Sequence, residues 1–266
     1  MGIQHSREEK LAAFGRLLDV MDRLRAECPW DREQTTESLR TNTIEEVYEL
    51  SDAILSGAPE EIKKELGDVL LHVVFYSKIG EEQGSFDVAD VANALCDKLI
   101  FRHPHVYGET EAATSDVVTE RWEELKQKEK NGNKTVLSGV PSSLPALIKA
   151  YRIQDKARGV GFDWQHPEDV WSKVEEELSE LRGAITSGSV EDTEAEFGDF
   201  LFSIINVARK YKVNPDNALE RTNTKFIRRF GYIEARAKEE GRTLKELSLE
   251  EMDALWDEAK KLEAKP

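Results

Sequence analysis

Apolar residues recur every three or four positions along most of the chain, which is the spacing of one face of an α-helix. In the first such stripe, which starts near Arg7, the apolar positions are Leu11, Phe14, Leu17, Leu18, Met21 and Leu24. The same periodicity predicts further helices over about 36–56, 59–83, 86–101, 115–130, 145–158, 167–187, 190–212, 215–240 and 248–263. The alternating runs typical of β-strands are scarce, so the pattern predicts an all-α protein.

One stretch interrupts the helical pattern near the middle of the chain. Its sequence, NGNKTVLSGVPSSLP at 131–145, is rich in asparagine, glycine, serine and proline, which favour turns and loops. We therefore expect a linker here between an N-terminal module, 1–130, and a C-terminal module, 146–266.

The two predicted modules share an internal repeat. A shift of 131 residues places EEVYELSDAI (45–54) on EELSELRGAI (176–185) and ELGDVLL (65–71) on EFGDFLF (196–202). A shift of 127 residues then aligns KLIFR (98–102) with KFIRR (225–229), so the loop between these segments differs in length. The repeat predicts a tandem duplication of one helical module.

Each copy carries a set of acidic residues spaced to share helix faces, of the form E-E-x-x-E followed by E-x-x-D. The short turn between the two acidic helices predicts antiparallel packing, which would bring four carboxylates together in each module. These residues are Glu46, Glu49, Glu65 and Asp68 in the first module and Glu177, Glu180, Glu196 and Asp199 in the second. Carboxylate ligands without cysteine or histidine favour Mg²⁺, with Mn²⁺ as the alternative.

A solvent-exposed acidic face is the simpler interpretation of such spacing. The metal interpretation is favoured because the spacing occurs twice and because the acids adjoin apolar residues that are expected to face a core. These apolar residues include Leu50, Leu66, Leu70, Leu181 and Leu201. Glu45 and Glu176 point partly away from the four carboxylates. They are expected either to support the metal ligands or to contact a catalytic water.

A basic pair at a spacing of four residues also occurs in each copy. Lys98 and Arg102 in the first module correspond to Lys225 and Arg229 in the second. Phosphoryl transfer requires cations beside a carboxylate-bound metal, because they stabilise the negative charge of the phosphates that do not react.

The net charge narrows the partners that the chain can bind. Its 53 acidic and 37 basic residues give a formal charge of −16, which argues against general nucleic-acid binding and against docking to an anionic membrane. Two cysteines are too few for a disulfide framework, and there is no long apolar run or secretion-type N-terminal segment. We therefore expect a cytoplasmic protein.

Several motifs together resemble the bacterial MazG-type nucleoside triphosphate pyrophosphohydrolases, in the long form with two tandem modules. Besides the acidic pairs, they are CPWD (28–31), RHPHVYG (102–108), RWEELK (121–126), VGFDW (160–164) and KFIRRF (225–230). The resemblance implies an all-α module that dimerises into a helical bundle resembling a four-helix bundle. It implies Mg²⁺-dependent hydrolysis of the α–β phosphoanhydride, which releases a nucleoside monophosphate and pyrophosphate.

The resemblance also implies residue roles, mainly in the second module. Glu177, Glu180, Glu196 and Asp199 would bind the metal. Glu176 could steer the attacking water, a role that follows from its position beside these acids and not from the resemblance. Lys225 and Arg229 would contact phosphate. Trp256 occupies the position where the long form has a tryptophan that stacks on the base.

The differences between the copies favour the second module as the principal catalytic one. Asn206 aligns with Phe75 and Asn223 with Cys96, and an amide side chain can hydrogen-bond a base or a sugar where these counterparts cannot. Trp164, just before the second acidic helix, could supply a stacking surface. The first module keeps its acids and is expected to be weak or structural. The alternative function is a non-enzymatic helical module that binds a basic partner protein through its acidic faces.

Overall fold

A computed structural model describes residues 5–108 and 135–263, and within these ranges it contains eleven α-helices and no strand. The all-α prediction is therefore confirmed. The chain divides into two compact units, Met1–Val117 and Val118–Pro266, which we call unit 1 and unit 2. The helix predicted at 115–130 and the RWEELK motif lie outside the described residues.

Unit 1 contains six described helices in chain order. They are α1 (Arg7–Glu27), α2 (Pro29–Glu33), α3 (Thr36–Ser56), α4 (Pro59–Glu82), α5 (Val88–Arg102) and α6 (Pro104–Tyr107). Helices α3 and α4 form an antiparallel hairpin, and α1 and α5 both pack against α4. The short helices α2 and α6 were not predicted from periodicity; each begins at a proline, which tolerates the first helical position because it has no N–H to leave unpaired.

Unit 2 contains five described α-helices after a segment of turns and bends at 135–145, which forms the described part of the predicted linker. They are α7 (Ala146–Arg158), α8 (Asp169–Ser187), α9 (Val190–Lys210), α10 (Pro215–Glu239) and α11 (Leu249–Glu263), with a short 3₁₀ turn at Leu244–Glu246. Helices α8 and α9 form the hairpin of this unit. Helix α7 packs on α9 and α10, and α11 packs on α10.

Each hairpin turns at a glycine in the left-handed region of backbone conformation. Gly57 ends α3 with φ 70°, and Gly188 ends α8 with φ 79°. A side chain would strain the backbone at these positions, whereas glycine adopts this conformation readily. Because the next helix begins at Pro59 in unit 1 and at Val190 in unit 2, the acidic faces of the two helices meet after a very short connection.

The buried core of unit 1 joins α1 to the hairpin. Its fully buried members are Met21, Leu39, Val74, Phe75 and Ile79. Unit 2 has two smaller apolar clusters. One contains Val170, Val174 and Val207 at the hairpin, and the other contains Ile233, Ala237 and Leu247 beneath α11.

Apolar residues beside the acidic positions are not all buried within the chain. Leu66, Leu70 and Leu201, which were expected to face a core, are 52%, 39% and 56% exposed. That expectation is wrong for these three residues. It is confirmed for Leu181, which is only 4% exposed, and Leu50 is half-buried. No helix in the described ranges combines the length and the apolarity that crossing a membrane requires.

Candidate metal and substrate site

The acidic residues of unit 2 meet between the two helices of its hairpin. Glu177 lies on α8, and Glu196 and Asp199 lie three residues apart on α9. Carboxylate oxygens of these three residues all lie within 4.8 Å of one another. Glu177 is buried, Glu196 is half-buried and Asp199 is exposed, so the group extends from the hairpin interior to its surface.

Unit 1 has a corresponding group on α3 and α4. Carboxylate oxygens of Glu46, Glu49 and Glu65 lie within 4.8 Å of one another, and here Glu65 is the buried member. The four carboxylates predicted for each unit are thus present as three close carboxylates, with Asp68 and Glu180 outside the two groups. A different member is outside in each unit, although the two sequences match at these positions.

The close carboxylates shift one another's proton affinity. The pKa of Glu46 is raised by burial and then by its acidic neighbours, Asp68 foremost, and the pKa of Glu196 is raised by burial and then by Glu180 and Asp199. The members outside the groups therefore still act on them electrostatically. Mutual repulsion of this kind is relieved by a bound cation or by a proton.

Several carboxylate oxygens in these groups are buried without a hydrogen bond. The Oε2 atoms of Glu65, Glu177 and Glu196 have no partner among the described residues. A buried carboxylate oxygen that accepts no hydrogen bond is unfavourable, because it has lost water without a replacement. Three unpartnered oxygens within two oxygen-only ligand groups fit a hard divalent cation such as Mg²⁺.

A lysine neutralises part of each group, which the sequence analysis missed. In unit 2, Lys173 Nζ lies 2.6 Å from Glu177 Oε1 and 2.9 Å from Glu176 Oε1. In unit 1, Lys64 Nζ lies 2.7 Å from Glu65 Oε1. Hydrogen bonds to these carboxylates raise the pKa of both lysines, Lys173 most through Glu177 and Lys64 through Glu65. Each lysine contacts one oxygen of its buried glutamate and leaves the other unpaired.

Glu45 and Glu176, the two residues expected to lie beside the groups of close carboxylates, are exposed. Glu45 and Glu176 both lie at the surface of their helices, and Glu176 is held by Lys173. Lys173 therefore bridges Glu176 and the buried Glu177. Through this bridge, the residue predicted either to support the metal ligands or to contact water is connected to the three close carboxylates.

The predicted phosphate-binding residues lie on α10. Lys225 is exposed, whereas Arg229 is mostly covered and donates to Glu263 Oε2 from Nε at 3.0 Å and from Nη2 at 2.7 Å. The Arg229 guanidinium also lies 5.3 Å from the centre of the Trp256 ring, and Phe226 packs against the same ring. The structure thus brings Arg229 and Trp256 together, while Asn223 is exposed on α10 and donates to Glu220.

The remaining two predicted residues, Trp164 and Asn206, line a cavity of about 520 Å³ behind α9. Sequence reasoning did not identify the other polar residues of this cavity, Gln154, Asp163 and Arg209. The VGFDW motif, which contains Asp163 beside Trp164, was the available signal. The cavity is apolar for the most part and carries few polar groups, which is typical of small-molecule sites.

The fold and this site define an all-α protein with two repeated helical hairpins. Each hairpin presents a cluster of three carboxylates that is suited to a divalent cation. Residues 34–107 and 165–232 match the family model of the MazG nucleotide pyrophosphohydrolase domain. The chain therefore belongs to the MazG family and carries two MazG domains in tandem, as the sequence motifs predicted.

Similar curated proteins match along nearly the whole chain. The nucleoside triphosphate pyrophosphohydrolase/pyrophosphatase MazG of Thermotoga maritima is 44% identical over 250 residues, which cover 93% of this chain and 95% of that protein. The nucleoside triphosphate pyrophosphohydrolase of Escherichia coli K12 is 39% identical over 255 residues, covering 93% and 97% respectively. The uncharacterized protein YabN of Bacillus subtilis is 45% identical over 263 residues, which cover 97% of this chain and 54% of YabN.

Proposed function

We propose that this protein is a Mg²⁺-dependent nucleoside triphosphate pyrophosphohydrolase that releases a nucleoside monophosphate and pyrophosphate. The observation that carries the proposal is the group of close carboxylates in each unit, with buried oxygens that lack a hydrogen bond. The relatives from Thermotoga maritima and Escherichia coli are named nucleoside triphosphate pyrophosphohydrolases, which supports this class of activity.

Mg²⁺ would be held in unit 2 by Glu177, Glu196 and Asp199, with Glu180 beside them; Mn²⁺ could replace it. When bound, the cation would withdraw charge from the phosphate oxygens and so favour attack on phosphorus. Glu46, Glu49, Glu65 and Asp68 would form the equivalent site of unit 1. The exposed position of Asp199 supports this assignment, because it leaves one edge of the group open to a phosphate.

The other proposed roles belong to residues around this group. Glu176 would orient the attacking water, since it is exposed next to Glu177 and is positioned by Lys173. Water would add to the α-phosphorus while the bond to the bridging oxygen breaks, so that pyrophosphate leaves. Lys225 and Arg229 would stabilise the negative charge of the phosphates. The base or sugar would be contacted by Trp256, Trp164, Asn206 and Asn223.

Unit 2 is the proposed principal catalytic unit. Its cavity contains Asn206, whereas the aligned Phe75 of unit 1 is 2% exposed and forms part of a packed core. An amide beside an open cavity can recognise a ligand, and a buried phenylalanine cannot do so without moving. Unit 1 would then contribute structure or weak activity.

A homodimer is the proposed assembly, and the cytoplasm is the proposed location. The support for a dimer is the exposed apolar surface beside the acidic positions, which includes Leu66 and Leu70 in unit 1 and Phe197 and Leu201 in unit 2. An exposed apolar patch, taken within each unit separately, is typical of protein interfaces. A second chain that covers it would extend each hairpin towards a four-helix arrangement.

Product analysis tests the proposed activity directly. The protein should be incubated with each of several nucleoside triphosphates and Mg²⁺, and the products resolved by ion-exchange chromatography. Monophosphate with pyrophosphate is the expected result. Diphosphate with orthophosphate would indicate a different phosphohydrolase, and the absence of product would favour the alternative of a binding module for a basic protein. That alternative is less well supported, because one acid of each group, Glu65 in unit 1 and Glu177 in unit 2, is buried and cannot contact a partner protein.

A further inference from the structure

In each unit, the most buried member of the close carboxylates is paired with a lysine. In unit 1 this member is Glu65, which is 5% exposed, and Lys64 Nζ lies 2.7 Å from its Oε1. In unit 2 it is Glu177, which is 6% exposed, and Lys173 Nζ lies 2.6 Å from its Oε1. The Oε2 atom of each glutamate is buried and has no hydrogen-bond partner among the described residues. Each buried carboxylate therefore has one oxygen occupied by a cation and one oxygen left free.

The two lysines do not occupy equivalent positions in the repeat. Under the shift of 131 residues that aligns the acidic segments, Lys64 falls on Ala195. Lys173 falls on Asn42 under the same shift. The buried glutamates are not equivalent either, because one lies on the second helix of its hairpin and the other on the first. The lysine therefore accompanies the buried carboxylate and not a fixed sequence position, so the contact itself is what the two units share.

The lysines can occupy a carboxylate oxygen but cannot bind a metal themselves. Their pKa values are raised mainly by the hydrogen bonds to Glu177 and Glu65, so both ammonium groups stay protonated at neutral pH. A protonated lysine has three donors and no lone pair to offer to a cation. Lys173 is fixed further, since its Nζ also lies 2.9 Å from Glu176 Oε1. A metal at either group would therefore find only the second oxygen of the buried glutamate available.

Mg²⁺ and Ca²⁺ use carboxylate ligands differently. Ca²⁺ takes about six to eight oxygen ligands in a flexible arrangement and often binds both oxygens of one carboxylate. Mg²⁺ requires a near-octahedral arrangement and keeps several of its waters. A carboxylate with one oxygen occupied by a lysine can still serve Mg²⁺, because one oxygen is enough. The same carboxylate cannot give Ca²⁺ its second oxygen.

We propose that Lys173 and Lys64 are specificity-determining residues that make the carboxylate group of their unit select Mg²⁺ over Ca²⁺, an inference that rests on the metal sites of the proposed function. Each lysine would restrict its buried glutamate to binding through one oxygen. The effect should be larger in unit 2, because the Lys173 side chain contacts two carboxylates and is 38% exposed, whereas that of Lys64 is 62% exposed.

Metal binding without nucleotide tests the inference independently of hydrolysis. The probe is Mn²⁺, whose free concentration is read from its electron paramagnetic resonance signal, and Mg²⁺ and Ca²⁺ are then titrated as competitors. Each unit is measured in full-length protein in which amides replace the three close carboxylates of the other unit. Lys173→Met and Lys64→Met remove both the charge and the hydrogen-bond donor, whereas Lys173→Arg keeps both.

Two exposed lysines provide matched controls. Lys63 precedes Lys64 in the chain and contacts Glu60, which is outside the carboxylate group, and Lys238 lies on α10. Lys63→Met and Lys238→Met remove the same charge without freeing an oxygen of a buried glutamate. Circular dichroism and thermal melting identify any variant that fails to fold. If an amide-substituted protein does not fold, the lysine variants of the otherwise unchanged chain report the two units together.

Lys173→Met should raise the affinity for Ca²⁺ about tenfold more than the affinity for Mg²⁺, and Lys64→Met about threefold more. Lys173→Arg and the two control variants should leave the ratio of these affinities unchanged. An equal rise for both cations would overturn the inference, because the lysine would then act only through its charge. A fall in both affinities would also overturn it, since the lysine would then only hold the ligands in place.

The same measurements separate this inference from the proposed function. Binding of Mn²⁺ with an unchanged ratio of Ca²⁺ to Mg²⁺ affinity in the folded lysine variants would refute the selectivity and leave the proposed metal sites standing. No binding of Mn²⁺ by any folded protein would refute the proposed metal sites, and this inference with them.

Discussion

The two units carry the same acidic hairpin but differ at one aligned position on its second helix. This position is buried in a packed core in unit 1 and lines a cavity in unit 2. In unit 1, Phe75 is buried against Met21 and Leu39, and the Arg25 guanidinium lies 5.5 Å from the centre of its ring. In unit 2, the aligned Asn206 lines an open cavity. A packed core stabilises the fold, whereas an open cavity with unpaired polar atoms can bind a ligand.

A second difference lies beside the carboxylate groups themselves. In unit 1, Thr43 Oγ1 lies 3.0 Å from His72 Nδ1 and 2.6 Å from the Tyr76 hydroxyl, which forms a partly buried polar network. The repeat aligns these three residues with Val174, Ser203 and Val207 in unit 2, where both valines are buried. The acids are therefore the same in the two copies, while the surrounding residues have diverged. The proposed division of roles, stability in unit 1 and ligand recognition in unit 2, rests on these differences.

The largest expected effect is on turnover when a metal ligand of unit 2 is changed. Asp199→Asn removes a charged ligand oxygen and should lower kcat by about a hundredfold to a thousandfold. The matched Asp68→Asn in unit 1 should lower it by less than about threefold. Steady-state kinetics measures both, and circular dichroism checks that the helices persist. Equal losses in the two variants would remove the functional distinction between the units.

The next effect is on stability and concerns the core of unit 1. Phe75→Ala should lower the free energy of unfolding by about 3–5 kcal/mol, because it leaves a cavity in a packed cluster. Asn206→Ala is the matched control and should cost less, since its side chain already borders open space. Urea unfolding measures both values. A smaller loss for Phe75→Ala than for Asn206→Ala would contradict the assigned structural role of unit 1.

A more moderate effect is expected at the proposed phosphate contact. Arg229→Ala should raise KM about tenfold with a smaller change in kcat, because a charged contact to phosphate is lost. Glu263 controls for an indirect effect, since Arg229 also bonds this residue and thereby lowers its pKa. Glu263→Gln should change KM by less than about twofold. A rise in KM of the same size in both variants would mean that Arg229 acts only by holding α10 to α11.

The smallest effect is a pH-dependent stabilisation by Mg²⁺. The pKa values of Glu46 and Glu196 are raised in the folded protein, so their favourable contribution is present below their ordinary value of 4.5 and is lost as pH rises through the raised values. At neutral pH, bound Mg²⁺ should offset the repulsion between the ionised acids and so stabilise the folded protein. It should change the stability little at low pH, where the acids are protonated.

Thermal melting checks this prediction. Addition of Mg²⁺ at pH 7.5 should raise Tm by about 2–4 °C for each kcal/mol of binding free energy, and the rise should be smaller at pH 5. Potassium chloride at the same ionic strength serves as the control. An equal rise at both pH values would show that the cation does not bind through these carboxylates.

The helices could be predicted from sequence because their signals are local. Most predicted boundaries agree within two residues, helped by Pro59, Pro215 and the capping residue Asp87. The pairing of acids across each hairpin also followed from spacing and a short turn. Which acids come closest could not be predicted, because small differences in helix packing decide it: Asp68 is outside its group, whereas the aligned Asp199 is inside.

The cavity of unit 2 was only partly predictable for the same reason. Asn206 was identified by comparing the two copies, and Trp164 by its position before an acidic helix. Gln154 and Arg209 could not be found in this way, because their roles depend on contacts between α7, α9 and the segment between α7 and α8. The buried Oε1 of Gln154 accepts no hydrogen bond from the described residues, a property of packing that no motif records.

The central claim is that hydrolysis depends on the carboxylates of unit 2. Two triple variants of the full-length protein test it most directly: Glu46→Gln, Glu49→Gln and Glu65→Gln in one, and Glu177→Gln, Glu196→Gln and Asp199→Asn in the other. Pyrophosphate release from nucleoside triphosphates with saturating Mg²⁺ should persist in the first variant and disappear in the second. Loss of release in the first variant, or its persistence in the second, would contradict the claim.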